Sequence, residues 1–489
     1  TARIWDEVKS LPEEGQLGIA SVNAWECIGP YGMRNAGGGT MTGRVLDLEV
    51  GRSPSIRAAA ASGGLWEFVF FFPIQMTDDV ESQCVSTFST HPQDSETILI
   101  GTGEPFISGG RGLWKKTAGS GWERRPMEPE PDGFFRIRYA PDGQTVHALT
   151  TTGYFRSTDG GDTWTRTFIG WGTDLAIHPA NAQVLYMTVW AYGLYKSTDA
   201  GLTWSQVTAP GIPTFGVTRG AIAIGGVPGP ARIYVSFADV DYRVHGVYTA
   251  TDADGAAWQN VTPPAEYMRG QGWYDNTIGV SPTNNNVVLT GGVGLWRTSD
   301  GGASWVNFNS DPQVHADCHA VCWHPDGQQV WLGHDGGWSY SGNAGQTWDT
   351  SGNLQPITQY VNVYAGLNDP NVIGGGSQDN GVSITENGGV NWRERLSGDG
   401  GGFAVDPLNS SIVYAITGVY GGDLSFRRFI STNRGANWVD INSGLEPSRM
   451  WYPRLRHDMV PPVYLFTNSD RFVYKSPNFG NSWHKLNQT

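Results

Sequence analysis

The octapeptide "STDGGDTW" (157–164) recurs along the chain at a nearly constant pitch, and this repeat decides the fold. It returns as "STDAGLTW" (197–204), "TSDGGASW" (298–305), "SGNAGQTW" (341–348), "TENGGVNW" (385–392), "STNRGANW" (431–438) and "SPNFGNSW" (476–483). Two less similar copies end at Trp122 and Trp258, so the closing tryptophans lie 40 to 54 residues apart. A pitch of this length is typical of repeat proteins with one four-stranded unit per repeat.

The residue types of the repeat predict a tight turn and no catalysis. An Asp or Asn side chain accepts backbone N–H groups within such a loop, glycine supplies the positive φ, and Trp packs at the base of the hairpin. We therefore assign a structural role to Asp159, Asp199 and Asp300.

The segments around each turn follow one order, which predicts an all-β propeller. An apolar strand such as "LAIHP" or "FAVDP" precedes a β-rich strand, a glycine loop and the strand that enters the repeat. An additional unit without the repeat (42–68) brings the count to about ten four-stranded blades. Since no linker interrupts them, the units predict one ring over 42–489, with two smaller tandem propellers as the alternative. The segment 1–41 would supply an outer strand, "AWECIGP" (24–30), that helps close the ring.

Composition narrows the classes of partner and the compartment. The 489 residues carry a net charge of −14, which argues against nucleic acid and against anionic lipid surfaces. No apolar run approaches the roughly 20 residues that span a bilayer. The chain begins at Thr1 without a signal peptide, which we interpret as a mature exported form, secreted or at the cell surface. Cys27 and Cys84 could form a disulfide.

The segment "VHADCHAVCWHP" (314–325) presents metal-ligating residue types at alternate positions. In a propeller, the loop entering a blade and the loop between its second and third strands share the face opposite the repeats. His315, Asp317 and His319 would therefore meet His334 and Asp335 of the loop "GHDGGW" (333–338). This donor set predicts one divalent cation, zinc or calcium. The alternative is a hydrogen-bonded cluster without an ion.

Neighbouring loops on the same face predict a carbohydrate site. The acid–base candidates are Asp275, Asp379, Asp399 and Tyr274, and the substrate-binding candidates are Trp273, Arg269, Gln378 and Glu104. Aromatic rings stack on sugar faces, and carboxylates accept sugar hydroxyls.

The repeat resembles the Asp box, or bacterial neuraminidase repeat, of sialidases, sortilin-type domains and xyloglucan-cleaving glycosidases. Residues 269–420 are similar to a group of exported bacterial Asp-box proteins labelled sialidase-like or glycosyl-hydrolase-like. The resemblance implies either the ten-bladed ring of sortilin-type domains or the two propellers of the xyloglucanase family.

Two positions depart from the resembled enzymes. "GRSPSIR" (51–57), with Arg52 and Arg57, does not match the Arg-Ile-Pro pattern of sialidases. Ala61 stands where the xyloglucanase family carries a catalytic Asp, two residues before a Gly-Gly pair. The acid–base carboxylates of a hydrolase must then come from other loops.

Four functions remain open on the sequence. The first is an exported polysaccharide-active glycoside hydrolase. The second is a polysaccharide lyase, with Tyr274 or His315 as base and Arg269 or a cation neutralising a uronate. The third is a sortilin-like module that binds a peptide or glycan without chemistry, and the fourth is a structural surface protein.

Overall fold

The polypeptide is built from β-strands alone in the ranges that the structure describes. A computed structural model describes residues 27–51, 55–69, 72–226, 230–251, 257–418, 423–458 and 463–486. These ranges form ten sheets, and the all-β propeller prediction is confirmed. Across the same ranges, no helix has the length and apolar character needed to pass through a membrane.

The ten sheets, which we call blades one to ten, follow one another along the chain, and within each blade the strands pair antiparallel in chain order. Blade one contains the strands Val45–Val50, Ser55–Ala60, Gly64–Val69 and Phe72–Gln75. Blade two contains Val85–His91, Asp94–Thr102, Leu113–Lys116 and Trp122–Arg125. Blade three contains Phe134–Tyr139, Val146–Thr150, Gly153–Ser157 and Thr165–Phe168. Blade four contains the strands Gly172–Ile177, Leu185–Val189, Gly193–Ser197 and Ser205–Gln206. Blade five contains Val217–Gly225, Arg232–Asp239, Val244–Thr251 and Gln259–Asn260. Blade six contains Thr277–Ser281, Asn284–Gly291, Leu295–Thr298 and Val306–Asn307.

The remaining blades vary slightly on this plan. Blade seven contains Cys318–Trp323, Val330–His334 and Gly337–Ser341, with a Tyr340–Asp349 bridge at the fourth position. Blades eight to ten contain Tyr360–Ala365, Ile373–Ser377, Val382–Thr385 and Arg393–Leu396; Gly400–Val405, Val413–Gly418, Phe426–Ser431 and Val439–Asp440; Leu455–His457, Leu465–Asn468, Val473–Ser476 and His484–Lys485. Two N-terminal strands, Met33–Arg34 and Thr40–Met41, extend the sheet of blade eight.

The ring closes after seven blades, so the prediction of one ten-bladed ring is wrong. The first strands of blades one to seven contact each other in order, and the first strand of blade seven packs against that of blade one. Leu48 of blade one shares a core cluster with Ala320 and Trp338 of blade seven. The repeat has the same pitch before and after this closure, and for that reason the pitch does not reveal the size of the ring.

Blades eight, nine and ten form a second unit beside the ring. Their first strands contact each other in order, and Phe403 of blade nine lies in one cluster with Val382 and Ile384 of blade eight. Ile357, which precedes blade eight, packs into the cluster shared by blades one and seven. The tandem arrangement predicted as the alternative therefore describes the chain better, with three blades in the second unit.

The N-terminal segment covers the first blade of the second unit instead of closing the ring. Its strand Met33–Arg34 pairs parallel with the last strand of blade eight. In the second unit, Trp438 and Trp483 each donate an indole N–H to a carbonyl of the preceding blade. Blade eight begins that unit, and its Trp392 donates instead to Ile28 O at 3.1 Å. The ring-closing role predicted for 24–30 is thus corrected; residues 24–26 lie outside the described residues.

Buried side chains on the first strands hold neighbouring blades together inside the ring. Asp47 of blade one accepts the Thr87 hydroxyl of blade two at 2.6 Å, and it pairs with Arg136 and Arg138 of blade three. Burial alone would raise the pKa of Asp47, but the two guanidinium groups hold it below its ordinary value. Asp47 is therefore an ionised structural anchor for three blades.

The repeated turns have the hydrogen bonds that their residue types predict. Asp159 Oδ1 accepts the backbone N–H groups of Asp162 and Thr163 at 3.1 and 2.9 Å, and Gly160 and Gly161 have positive φ. The equivalent N–H bond recurs in the other turns, at Asp199, Asp300, Asn343, Asn387, Asn433 and Asn478. All four cysteines are free, so the pairing of Cys27 with Cys84 is not formed.

Replacing Asp47 should destabilise the protein strongly. Asp47→Asn leaves buried guanidinium charge without its carboxylate, which we expect to lower the free energy of unfolding by about 3 kcal/mol. The matched control is Asp162→Asn, because Asp162 pairs with Lys115 and Arg125 but is 51% exposed at its side chain. The control should cost less than about 1 kcal/mol. Urea denaturation of both variants measures the difference, and equal losses would contradict the anchoring role.

The repeated turns should contribute to stability in a pH-dependent way. Although burial opposes it, hydrogen bonds from Thr163, Ser157 and Asp162 lower the pKa of Asp159 to about 2. A carboxyl group whose pKa is lowered on folding stabilises the fold at pH values above its unfolded-state pKa of about 4. This contribution is lost as the pH falls through the folded-state pKa of about 2. We expect Asp159→Ala to lose about 1 kcal/mol at pH 7 and the loss to shrink between pH 4 and 2. A loss that is constant across this range in denaturation curves would argue against the assignment.

Candidate functional site

The candidate site lies on the ring face opposite the repeated turns, where the ring meets the second unit. Blade seven contributes the loop before Cys318 and the loop after His334. From the second unit, Asn380 Nδ2 donates to Asp335 O at 3.0 Å, and Asp379 O lies 3.1 Å from His315 Nε2. Loops of the ring and of the second unit therefore build one surface together.

Buried carboxylates form the centre of this surface. Asp317, Asp335 and Asp379 each place a carboxylate oxygen within 4.8 Å of the other two. Burial and the charges of Asp335 and Asp399 raise the pKa of Asp379 to about 9. Burial raises the pKa of Asp335 to about 6 despite the opposing charge of Arg44. The three carboxylates are therefore too close together to be ionised at the same time without a positive charge between them.

Asp275 lies behind this cluster and is completely buried. Its relative exposure is 0%, and neither carboxylate oxygen has a hydrogen-bond partner among the described residues. The polar side chain that it faces is the carboxylate of Asp317. Burial and the charge of Asp317 raise the pKa of Asp275 well above its ordinary value. Asp275 is thus placed to interact with the cluster and not with a polymer at the surface.

The loops that carry the carboxylates are held in strained conformations by specific bonds. Asp317 and Asp379 have φ values of +63° and +62°, a region that residues other than glycine adopt at a cost. Gln271 Nε2 donates to Asp317 Oδ1 at 3.1 Å, and the Asp379 N–H donates to Asp399 Oδ1 at 3.1 Å. Blades six to nine therefore each contribute a residue to fixing the cluster.

The strand that carries His319 begins later than the predicted alternation of His315, Asp317 and His319 requires. The first strand of blade seven starts at Cys318, and its register shifts between Cys318 and Ala320. His315 and Asp317 consequently lie in the entry loop, with Asp317 in the left-handed region, and only His319 belongs to the strand. The predicted residues nevertheless meet, because the His315 ring lies 5.7 Å from the His334 ring and His319 Nε2 lies 2.6 Å from Asp335 Oδ1.

Four ring nitrogens of the three histidines are directed at protein groups, whereas the buried His334 Nδ1 has no hydrogen-bond partner among the described residues. His319 Nε2 lies 2.6 Å from Asp335 Oδ1, and burial together with the charge of Arg44 lowers the pKa of His319 to about 3. His334 Nε2 donates to Ser339 Oγ at 2.8 Å, because the Ser339 hydroxyl donates to Gln313 O. Carbonyl oxygens face both nitrogens of His315 at 3.1 Å. This arrangement resembles the hydrogen-bonded alternative for the histidines, whereas the carboxylates Asp317 and Asp335 do lie together.

Tyr274, Glu104 and Arg44 form a second polar group nearer the ring axis. The Tyr274 hydroxyl accepts a hydrogen bond from Arg44 Nη1, which lies 3.6 Å from Glu104 Oε1. The Tyr274 ring packs edge-on against the His319 ring at 4.8 Å. Burial raises the pKa of Glu104 and, with the charges of Asp335 and Glu104, raises the pKa of Tyr274 well above its ordinary value. Tyr274 therefore carries its proton at neutral pH.

Aromatic rings surround this polar group on the same face. Phe106 is 43% exposed and contacts Phe135, Trp171, Trp190 and Trp273, at centroid distances of 5.1 to 6.4 Å. Beneath it lies a cavity of about 50 Å³ whose lining includes Glu104, Tyr274 and His319. Tyr242, Tyr192 and Phe215 extend the exposed apolar surface across blades four and five. A patch of this kind indicates a binding surface.

Some predicted residues lie apart from the cluster, and some members were not predicted. Arg269 and Gln378 are exposed on neighbouring loops, and Trp273 joins the aromatic group through Phe106 and Tyr274. Sequence reasoning missed Arg44, Gln271 and Phe106. Arg44 and Gln271 lie in loops that enter a blade, and Phe106 lies in a loop between second and third strands. Both kinds of loop lie on the face of the candidate site, and this position in the blade could have identified the three residues from the sequence.

Two xyloglucanases and a solved GH74 enzyme are among the known proteins that are similar to this chain. No family model matches the chain. A xyloglucanase of a Paenibacillus species is 27% identical over 238 residues, which cover 45% of this chain and 21% of that enzyme. The xyloglucanase Xgh74A of Acetivibrio thermocellus is 29% identical over 202 residues, covering 33% and 23%. Among solved structures, the GH74 enzyme of Niastella koreensis is similar with a TM-score of 0.68 and 17% identity, over 94% of this chain and 73% of that chain.

The structural similarity bears on the fold, and the sequence similarity covers part of each relative. At 17% identity, the structural likeness shows that the two proteins share a β-propeller fold. The chain spans about a fifth of the length of the curated relatives that it matches. One fold supports many chemistries, so function has to be argued from the site itself.

Because His319 Nε2, His334 Nε2 and both nitrogens of His315 face protein groups, we expect the histidines to retain no zinc. We expect the wild-type protein, purified without chelator, to contain no stoichiometric zinc. Its zinc content should therefore equal that of His319→Gln, whose amide can still donate to Asp335. Elemental analysis by mass spectrometry measures both. The control is His484→Gln, on the exposed last strand of blade ten. Stoichiometric zinc that disappears in His319→Gln alone would restore the predicted histidine site.

Proposed function

We propose that this protein is a polysaccharide-active glycoside hydrolase that works on the ring face opposite the repeated turns. The observation that carries the proposal is the continuity of the exposed aromatic group around Phe106 with the buried carboxylates at the junction of the two units. Aromatic rings hold a sugar chain, and carboxyl groups of different ionisation are what glycoside hydrolysis needs. The similarity to xyloglucanases supports the same class.

Glu104 has the properties of the proton donor. It is 5% exposed, it lines the cavity beneath Phe106, and its Oε1 has no hydrogen bond to another described residue. Burial raises the pKa of its carboxyl group, which favours the protonated form that a general acid requires. Glu104 also lies beside Arg44, whose carbonyl accepts the N–H of Ala61. It is therefore close to the position where the resembled family carries a carboxylate and this chain does not.

Asp399 is the second carboxyl group of the proposal. It approaches from the second unit, at the entry to blade nine, and its Oδ1 already accepts the N–H of Asp379. That bond fixes the carboxylate in one orientation, which either a base that activates water or a nucleophile requires. Asp379 and Asp335 lie within the tight carboxylate cluster, and Asp275 lies beneath it, so Asp399 is the better placed of the predicted acids.

The charge of the protein favours a neutral polymer as substrate. The net charge of −14 and the carboxylate cluster on the working face repel acidic polysaccharides. A neutral plant polysaccharide of the xyloglucan type is therefore the first substrate to test. Because such polymers lie outside the cell, this function agrees with the proposal of an exported protein.

One observation favours a lyase as the second candidate. The Tyr274 hydroxyl accepts a hydrogen bond from Arg44, and because Tyr274 keeps its proton it would act as the acid that protonates the leaving oxygen in β-elimination, with His315 as the base. A lyase releases an unsaturated uronate that absorbs ultraviolet light, whereas a hydrolase releases reducing ends alone. Assaying both products on the same polysaccharide panel distinguishes the two reactions.

Removing either proposed carboxyl group should abolish turnover without unfolding the protein. We expect Asp399→Asn and Glu104→Gln each to lower kcat by about 100- to 10,000-fold on the best polysaccharide of the panel, with KM little changed. Reducing-end release measures kcat, and thermal unfolding shows whether each variant is folded. Glu96→Gln, an exposed acid on the opposite face, should keep full activity.

Three outcomes would contradict parts of this proposal. Release of no reducing ends from any polysaccharide, together with tight glycan or peptide binding, would favour the sortilin-like module. Full activity of Asp399→Asn would remove Asp399 from the mechanism. Loss of activity in Tyr274→Phe with an ultraviolet-absorbing product would favour the lyase.

A further inference from the structure

We propose that Asp317, Asp335 and Asp379, with Asp275 behind Asp317, bind one divalent cation of the calcium class. The site joins the entry and connecting loops of blades six, seven and eight. It goes beyond the proposed hydrolase, and it does not depend on it, because binding of an ion requires no substrate. The proposal stands on the spacing of the carboxylates and on the buried, unpartnered side chain of Asp275.

The spacing of the carboxylate oxygens fits a calcium-sized ion. The three oxygens lie within 4.8 Å of one another. Two oxygens bound to one calcium ion at about 2.4 Å can be up to about 4.8 Å apart. The spacing of the three oxygens therefore admits one calcium ion between them.

Asp275 provides the independent observation. Its side chain has a relative exposure of 0%, no N–H or hydroxyl donor of another described residue bonds to either oxygen, and the group that it faces is the carboxyl group of Asp317. Burying an ionised carboxylate without a partner costs several kcal/mol, so such a group normally pairs with a cation or a donor. The carboxylate is directed at that of Asp317 and so toward the cluster. No positively charged side chain of the described residues forms an ion pair with Asp275. A cation in the cluster would supply that charge.

The donor chemistry selects the class of ion. All four side chains offer carboxylate oxygens, which suit calcium and other hard cations. Of the imidazole nitrogens that zinc prefers, His319 Nε2, His334 Nε2 and both nitrogens of His315 are directed at Asp335, at Ser339 and at backbone carbonyls. The site therefore differs from the zinc site that the alternating histidines suggest, and it favours an ion with oxygen ligands.

A bound ion would fix the ring to the second unit at the point where Asp399 is held. Asp317 and Asp335 belong to the ring, and Asp379 belongs to blade eight. The N–H of Asp379 donates to Asp399 Oδ1, so an ion that immobilises Asp379 also immobilises its neighbour. Neutralising the repulsion among the carboxylates stabilises the same loops.

The first test measures ion binding on the whole chain. Protein freed of metal with a chelator is titrated with CaCl₂, MgCl₂ and ZnCl₂ by isothermal titration calorimetry and by thermal unfolding. We expect one calcium per chain, an increase in Tm that grows with calcium concentration, and a smaller or no increase with magnesium. No binding of calcium and an unchanged Tm would overturn the proposal, and the cluster would then share protons instead.

The second test uses a variant that separates repulsion from ion binding. Asp317→Asn keeps a residue that tolerates the positive φ and removes one negative charge from the cluster. In chelator its Tm should equal or exceed that of the wild type, and in calcium the order should reverse. The matched control is Asp326→Asn, an exposed turn carboxylate of the same blade on the opposite face.

The result of the variant experiment is decisive in either direction. The site is supported if Asp317→Asn has the higher or equal Tm in chelator and the wild type has the higher Tm in calcium, while the control shows no such reversal. A calcium response of Asp317→Asn equal to that of the wild type would overturn it. Asp335→Asn, with the same expected reversal, guards against a folding defect of the first variant. None of these readouts uses turnover, so failure of the hydrolase proposal would leave this test unaffected.

Discussion

The contact between the first strands of blades seven and one is the constraint on which the arrangement of the functional site depends. It buries Leu48 against Ala320 and Trp338 and leaves no place in the ring for an eighth blade. The next blade must then begin a new unit. Its loop with Asp379 and Asn380 is brought over His315 and Asp335 of blade seven. The candidate site is therefore a consequence of closure after seven blades.

Beginning a new unit creates an edge that the protein has to cover. Blades nine and ten each receive a carbonyl acceptor from the blade before them, as the indole bonds of Trp438 and Trp483 show. Blade eight receives this acceptor from Ile28 and a paired strand from Met33–Arg34. Exposed strand edges favour unwanted association, so covering this edge explains why the N-terminal segment crosses to the second unit.

Sequence patterns predicted the blades and the working face, but not the ring size or the orientation of single side chains. The turn chemistry around Asp159 is local, and for this reason residue types sufficed to predict its bonds. Ring closure depends on the packing of Leu48 against residues some 270 positions away, such as Ala320, which no local pattern encodes. The alternation of His315, Asp317 and His319 failed because the strand begins at Cys318 with a shifted register. The grouping of Asp317 with Asp335 followed from the positions of their loops within the blade, and predictions of this kind located the candidate site.

Aspartates in two environments show how the same residue type serves structure in one place and a candidate function in another. Asp47 is buried among guanidinium groups, so its pKa is lowered and its charge stabilises three blades. Asp379 is surrounded by further carboxylates, and its pKa is raised to about 9. A fold selected for stability alone would separate such like charges or pair them with arginine, as it does at Asp47. The cluster at the junction keeps its repulsion and its left-handed backbone, and strain of this kind persists where a ligand or a reaction makes use of it. Since Asp399 is tied to the cluster through the amide of Asp379, whatever relieves that repulsion also sets the position of the proposed catalytic carboxylate.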